Sequence, residues 1–375
     1  KILDSYFFVL FSLIPVSIIL GSAISLIIIL LIDFSFIFFL LYKKEYKFLS
    51  NRTIKLILVF YLYLIFNSII SKDFSIGALR NFGFIRFGIL FCAFNYFFYH
   101  KNFFNKIFII WSLTVFILII DVYIESFTGR NILGYGELYG KRIVSFFKDE
   151  PIAGGYINAF QLIIIGYLFS LNNKFSKNYK YLILIISLFC FLAVLVTGER
   201  SSAIRAILGL LIFYFINDYF KIKEKLILTL LLVMFIGSLI NSIDFLKLKY
   251  QAQLINKIVS LYQSKIQKID YEKNSIEKLS INNDGKRTNN GSEYLFLYES
   301  AFSVFKNYPF FGVGNKNYRI ETCTANKNPD YLCSNHPHQI YFEFLAEHGL
   351  LGSMVLFFIL FNLIFSKIKI ILNSK

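Results

Sequence analysis

The sequence predicts an all-α fold, a polytopic helical membrane protein. Of its 375 residues 57% are hydrophobic and 19% are aromatic, against about 45–50% apolar in a soluble domain. The mean hydropathy is +0.60. Long stretches such as 182–196 and 226–240 carry no charge at all, and they do not alternate apolar with polar residues as the strands of a membrane barrel would.

Taken in order, the apolar runs give about ten transmembrane helices, each near the roughly 20 residues a bilayer requires. They fall at 6–20, 22–41, 54–71, 82–98, 103–124, 153–171, 180–197, 201–217, 225–242 and 339–365. Between the first two, Gly21-Ser22 reads either as a tight hairpin or as a bend in one element. The chain opens at Lys1 and shows no cleavable signal. Three parts are expected: a bundle of about nine spans over 1–242, a large external loop with short helices over 243–337, and a final span with its tail over 338–375.

The charges orient these spans. The net charge is +16, but no soluble basic domain exists to hold nucleic acid, and membrane proteins concentrate Lys and Arg in cytoplasmic loops. Lys43, Lys44, Lys47, Arg52 and Lys55 follow span two; His100, Lys101 and Lys106 follow span four; Lys174, Lys177 and Lys180 follow span six; Lys221, Lys223 and Lys225 follow span eight; Lys367, Lys369 and Lys375 end the chain. Every second connection is basic, so both termini are expected in the cytoplasm. The external connections are then 72–81, 121–151, Gly198-Glu199-Arg200 and 241–338. In the last of these, 250–279 and 294–305 show helical spacing, 282–291 reads as a polar turn, and Gly312-Val313-Gly314 reads as a sharp one.

The unusual polar residues gather at the external face. Arg142, Asp149 and Glu150 end one loop, Glu199 and Arg200 sit between two spans, and Arg205 lies about a turn and a half inside the next. A charge that far into a span is costly and points to function, or else to a side chain that reaches back to the interface. Arg86 lies near the outer end of span four. Arginine suits phosphate because its planar fork donates paired hydrogen bonds. Three of the four histidines fall within 334–352. Pro337 suits the first turn of a helix, which puts His338 at its mouth, on the side of Phe342 and Leu345 and away from Glu343 and Glu347. Such a histidine can serve as acid, base or hydrogen-bond donor near neutral pH. Cys323 and Cys333 flank a polar external loop, where an oxidising compartment favours a disulfide, and their spacing with His336 and His338 is not that of a zinc site. Cys92 and Cys190 read as small core residues. The sequence holds no phosphate-binding GxxxxGK[ST] loop, so any external reaction uses a substrate that is already activated.

In this order the motifs resemble the O-antigen ligase and O-antigen polymerase superfamily. His338-Gln339-Ile340-Tyr341-Phe342 through Glu347-His348-Gly349-Leu350-Leu351-Gly352 is similar to its His-Asn-x-x-Leu…Glu-x-Gly-x-x-Gly signature. Tyr308-Pro309-Phe310-Phe311-Gly312-Val313-Gly314 resembles its Pro-x-x-Gly-x-Gly segment, and Thr197-Gly198-Glu199-Arg200-Ser201-Ser202 its Glu-Arg-Ser element. Arg142…Phe146-Phe147-Lys148-Asp149-Glu150…Gly154 resembles a motif of an earlier periplasmic loop. Gln339 stands where Asn is usual, and the chain ends one span after the signature, where many members continue.

The resemblance covers roughly 140–365 and implies a GT-C-like glycosyltransferase of the bacterial inner membrane, with its active site on the periplasmic side. Such an enzyme takes oligosaccharide from a polyprenyl-diphosphate carrier (undecaprenyl diphosphate) without metal or cofactor, and passes it to a glycan or lipid A-core acceptor. His338 is then the catalytic residue, and Arg142, Arg200 and Arg205 hold the diphosphate. Arg86, Glu150, Glu199, His336 and Gln339 support them. The alternatives are a lipid-linked glycan transporter or flippase and a protein O-oligosaccharyltransferase.

Overall fold

A computed structural model describes residues 2–100, 103–136, 142–148, 150–171, 179–216, 220–255, 293–324 and 328–373. Its helices are α1 (Ile2–Leu20), α2 (Ser22–Lys43), α3 (Arg52–Ile69), α4 (Phe74–Gly83), α5 (Ile85–His100), α6 (Phe104–Thr128), α7 (Ala153–Ser170), α8 (Tyr179–Val196), α9 (Arg200–Ile216), α10 (Ile222–Ser242), α11 (Glu293–Asn307), α12 (Tyr318–Thr324) and α13 (Ile340–Asn373). Among the described residues the one β pairing is an isolated bridge between Arg130 and Gly136. The protein is an all-α, multi-pass membrane protein. In such a chain each backbone polar group has to be satisfied within its own helix, because lipid offers no partner.

Nine stretches among the described residues are long and apolar enough to cross a bilayer, with Phe74–Phe98 counting as one. The expected span at 201–217 is α9, which has 17 described residues. Gly21, with φ 123°, alone separates α1 from α2. Two loop boundaries differ from expectation. Most of 72–81 is helix α4, started by Asp73, whose carboxylate accepts the Ser75 N–H at 2.9 Å. Helix α6 continues to Thr128, where Gly129 at φ 82° ends it, so Asp121 and Glu125 are helical. Expected helix 294–305 is α11. Of 250–279, a π-type helix covers the start, Lys247–Ile255. The remainder, with the 282–291 turn and Asp149, lies outside the described residues.

The chain divides into two compact units. Unit 1 comprises Lys1–Ile28 and Asn102–Leu279; unit 2 comprises Ile29–Lys101 and Ser280–Lys375. Unit 1 has a core of α1, α6, α7 and α8 side chains, with Phe7, Phe11, Ile107, Leu118, Ile157, Ile165 and Phe191 buried. Buried polar groups there are matched. The Trp111 indole donates to Phe11 O at 3.0 Å, and the Tyr156 hydroxyl donates to Pro15 O at 3.0 Å. Unit 2 has two apolar clusters. One joins Ala301, Val304, Val313, Tyr318 and Ala346. The other joins Phe60 and Leu64 of α3 to Ile359 of α13. Apolar side chains such as Phe34, Phe38 and Phe357 are exposed, which suits contact with lipid.

One charge contradicts the expectation that charges cluster at one face. Asp33 lies midway along α2, is buried, and its carboxylate oxygens have no hydrogen-bond partner among the described residues. It is a single acid in an otherwise charge-free run.

Candidate functional site

In unit 1 the local structure is built by carboxylates that bind backbone. Asp121 and Glu125 lie one turn apart on α6 and are buried. Glu125 accepts the N–H groups of Val144 at 3.0 Å and Ser145 at 2.6 Å. Asp121 accepts the Ser145 hydroxyl at 2.6 Å and the Ile132 N–H at 2.9 Å. The Asn131 amide donates to Ser145 O at 2.7 Å. These bonds hold Ser145 in a left-handed conformation, φ 51°, and so set the stretch that carries the exposed Arg142.

Glu199 does the same for the turn between α8 and α9. Its carboxylate accepts the N–H groups of Gly154 at 2.7 Å and Gly155 at 3.0 Å, the first turn of α7, and the Ser202 hydroxyl at 2.9 Å. An anion at a helix N-terminus is favoured by orphan N–H groups and the helix dipole. The approach is close enough that a Cβ on Gly154 would stand 2.4 Å from Thr197 Oγ1, which explains the glycine. Burial pushes the Glu199 carboxyl up, against the opposing pull of the Ser202, Gly154 and Gly155 hydrogen bonds and the Arg142 charge.

Arg142 and Arg200, from two separate stretches, both act on a third cation, Lys249. The Lys249 ammonium is held below its usual range, first by burial and then by the charges of Arg142 and Arg200. Its neighbour Tyr250 is buried and donates to Leu195 O at 3.0 Å, and Phe245 packs over Gly198, which seats this stretch on the α8–α9 turn. Arg205 is exposed and reaches back along α9. Its Nε donates to Ser201 O at 3.2 Å and its Nη2 to Ser202 Oγ at 3.3 Å, the direction that helical side chains take. Glu150 is exposed in a turn of its own.

In unit 2 a disulfide joins Cys323 and Cys333 and leads directly into the histidine segment. Ser334 Oγ donates to His336 O at 2.9 Å, and the His336 and His338 rings lie 4.3 Å apart. Pro337 is not a first-turn residue as expected. Helix α13 begins at Ile340, because His338 has φ 55°, which no right-handed helix accommodates. The Gln339 side chain does the capping, accepting the N–H groups of Tyr341 at 2.6 Å and Phe342 at 3.3 Å. So His338 stands exposed on a strained residue outside the helix, not on the face of Phe342 and Leu345.

Further on, α13 breaks at Gly349, φ 62° and ψ −163°. The 309–314 turn fills the break. Leu350 N donates to Pro309 O at 2.8 Å and Leu351 N to Phe310 O at 3.1 Å, while Val313 N and Gly314 N donate to Ala346 O at 3.0 Å and Glu347 O at 2.9 Å. The Tyr63 hydroxyl takes His348 O at 2.6 Å, and the Asn67 amide donates to Phe311 O at 3.0 Å and Glu347 O at 3.2 Å. Every carbonyl and N–H freed by the break that these bonds reach thus has a new partner. Neither glutamate of this helix turns to His338. Glu343 pairs with Lys316 at 2.8 Å, and Glu347 is buried. Arg86 is half-buried in the same unit, its guanidinium 4.9 Å from the Phe87 ring and in the field of Asp33.

The arginines of the site therefore belong to unit 1, and His336, His338, Gln339 and Arg86 to unit 2. The sequence reading missed Lys249, Asp121, Glu125, Asn67 and Asp33. Asp33 was visible as a charge inside an apolar run, and Asp121 with Glu125 as a pair at helical spacing. Among the described residues no group of three or more His, Cys, Asp or Glu side chains is placed to hold a metal ion.

Residues 183–357 match the family model for O-antigen ligase. This stretch, just under half of the chain, is similar to the O-antigen ligase family. The match takes in the Glu199 turn, Lys249, the disulfide, His338 and the Gly312–Gly349 interlock, while Arg142 precedes it. No curated protein and no solved structure matches the chain. The match supports a membrane glycan-handling role of the O-antigen ligase type.

Proposed function

We propose that the chain transfers or polymerises oligosaccharide from a polyprenyl-diphosphate carrier at the periplasmic face of the bacterial inner membrane, without metal, as an O-antigen or surface-polysaccharide polymerase or ligase. The observation that carries this reading is that Lys249, seated on the α8–α9 turn by Phe245 and Tyr250, lies in the field of both Arg142 and Arg200. Like charges held together repel one another, and a diphosphate relieves that repulsion. In the reaction, an acceptor hydroxyl oxygen bonds to the anomeric carbon as the bond from that carbon to the diphosphate oxygen breaks. The arginines and Lys249 take up the charge that collects on the departing diphosphate. His338 takes the hydroxyl proton. A single displacement of this kind inverts the anomeric carbon.

Purified His338→Ala, Arg200→Ala and Arg205→Ala should insert normally and transfer nothing from a lipid-linked donor. Lys249→Met should lower kcat/KM for that donor, with kcat itself falling. Full activity of His338→Ala would overturn the assignment. Deletion followed by glycan profiling separates the two acceptors: a single repeat left on lipid A means a polymerase, and no repeat on lipid A means a ligase. Asp33 favours a second reading, a transporter or flippase for lipid-linked glycans, since such proteins carry charge near the bilayer midplane. Flux of a labelled lipid-linked glycan across vesicles that hold the purified chain, with Asp33→Asn as the comparison, distinguishes it. A protein hydroxyl as acceptor is tested in the same transfer assay.

A further inference from the structure

Helix α10 is unusual for a span: of its 21 residues only Lys225 is buried. An ammonium is the group least suited to be the one buried residue of a membrane helix. A cavity of about 330 Å³ lies between α10 and helices α8 and α9, within unit 1. Its walls are apolar, with Leu188 and Phe191 of α8, Leu211 of α9, and Leu228 and Leu232 of α10 among them.

The hydroxyls on the wall are already engaged. Ser187 Oγ donates to Ile183 O at 2.7 Å, the Tyr214 hydroxyl donates to Ser187 Oγ at 2.9 Å, and Thr229 Oγ1 donates to Lys225 O at 2.8 Å. Lys225 is different. It lines the cavity, it is 8% exposed, and its Nζ donates to Phe215 O at 2.9 Å. That is one neutral acceptor, among the described residues, for an ammonium with three donors. Beside it, Lys180 lies 3.6 Å from Glu224 and stands over the ring of Phe220, a residue of the cavity wall.

We propose that this cavity is a binding site for an anionic phospholipid, whose hydrocarbon chain fills the apolar space and whose phosphate completes the hydrogen bonding of Lys225. The site is separate from the cation cluster at Arg200. The two lie at opposite ends of α9, whose 17 residues span about 25 Å at the rise of an α-helix, so one headgroup cannot serve both.

The test uses the full chain in nanodiscs of phosphatidylcholine and phosphatidylglycerol in equal parts, extracted gently and weighed by native mass spectrometry. The wild type should retain one phosphatidylglycerol. Leu188→Trp fills the cavity from α8 and Leu232→Trp from α10, and either should remove the retained lipid. Lys225→Met should still retain lipid but lose the preference for the anionic headgroup by about tenfold, the worth of a hydrogen bond to a charged group. Helical circular dichroism and gel filtration establish that each variant is folded, and two tryptophan variants on different helices guard against the failure of one. Retention unchanged in a folded tryptophan variant overturns the proposal. So does an anionic preference unchanged in Lys225→Met, or a retained lipid that proves to be the diphosphate carrier.

Discussion

A carboxylate that accepts two backbone N–H groups and a hydroxyl would ordinarily titrate low, yet burial pushes Glu199 up. The desolvation of the charged form outweighs the bonds that favour it. A group with a raised folded pKa contributes stability that is fully present below its unfolded value, about 4.3 for a glutamate, and lost as pH rises through the folded one. Glu199→Gln cannot titrate and lacks that slope. In detergent, the Tm of the wild type should therefore fall relative to that of Glu199→Gln as pH is raised from about 4 to about 8. Parallel curves would mean that the carboxyl is not desolvated by folding. His338 offers a second test at this scale. Its φ of 55° costs an L-residue about 1 kcal/mol, and glycine nothing. His338→Gly should match or exceed the wild type in thermal stability while losing transfer, whereas a histidine with a structural role would lose both together.

At the scale of elements, the broken helix is where sequence reasoning went furthest and then stopped. Both glycine motifs were legible, one as a turn and the other as part of a helix signature. That each is the other's partner was not, because no periodicity spans the distance from Gly312 to Gly349, and still less from Tyr63 to His348, 285 residues apart. The placement is intolerant. A Cβ at Gly312 would lie 2.3 Å from the Glu347 carbonyl carbon, and one at Gly349 would lie 2.5 Å from Phe310 backbone, both at positive φ. Gly312→Ala and Gly349→Ala should each cost about 2 kcal/mol or more, from backbone strain added to displaced contacts, measured as a fall in Tm. Gly166→Ala, at a glycine with open space around it, should be neutral in the same assay. The cap at Gln339 teaches the same lesson in miniature. The amide was read as a departure from the usual Asn, but its use became visible only with His338 out of the helix, where the longer side chain reaches two N–H groups.

For the whole molecule, the apolar runs made the all-α membrane fold legible, since lipid demands long uncharged helices and little else produces them. Loop boundaries were less legible: the external connection was set to begin at Asp121, yet Asp121 and Glu125 are buried on α6 by the backbone they bind. The distribution of lysines made a further claim, that both termini are cytoplasmic and the 241–338 segment external. The disulfide gives a direct way to test it. Cys92 and Cys190 lie within helices α5 and α8, whereas Cys323 and Cys333 lie outside the spans and precede His338 in the same connection. With Cys92 and Cys190 replaced by Ser, reduced spheroplasts exposed to a membrane-impermeant maleimide should label the remaining pair without permeabilisation, and unreduced spheroplasts should not. Labelling that requires permeabilised cells would reverse the topology and put His338 on the cytoplasmic side. The chemistry assigned to it would then need an activated donor on that face instead.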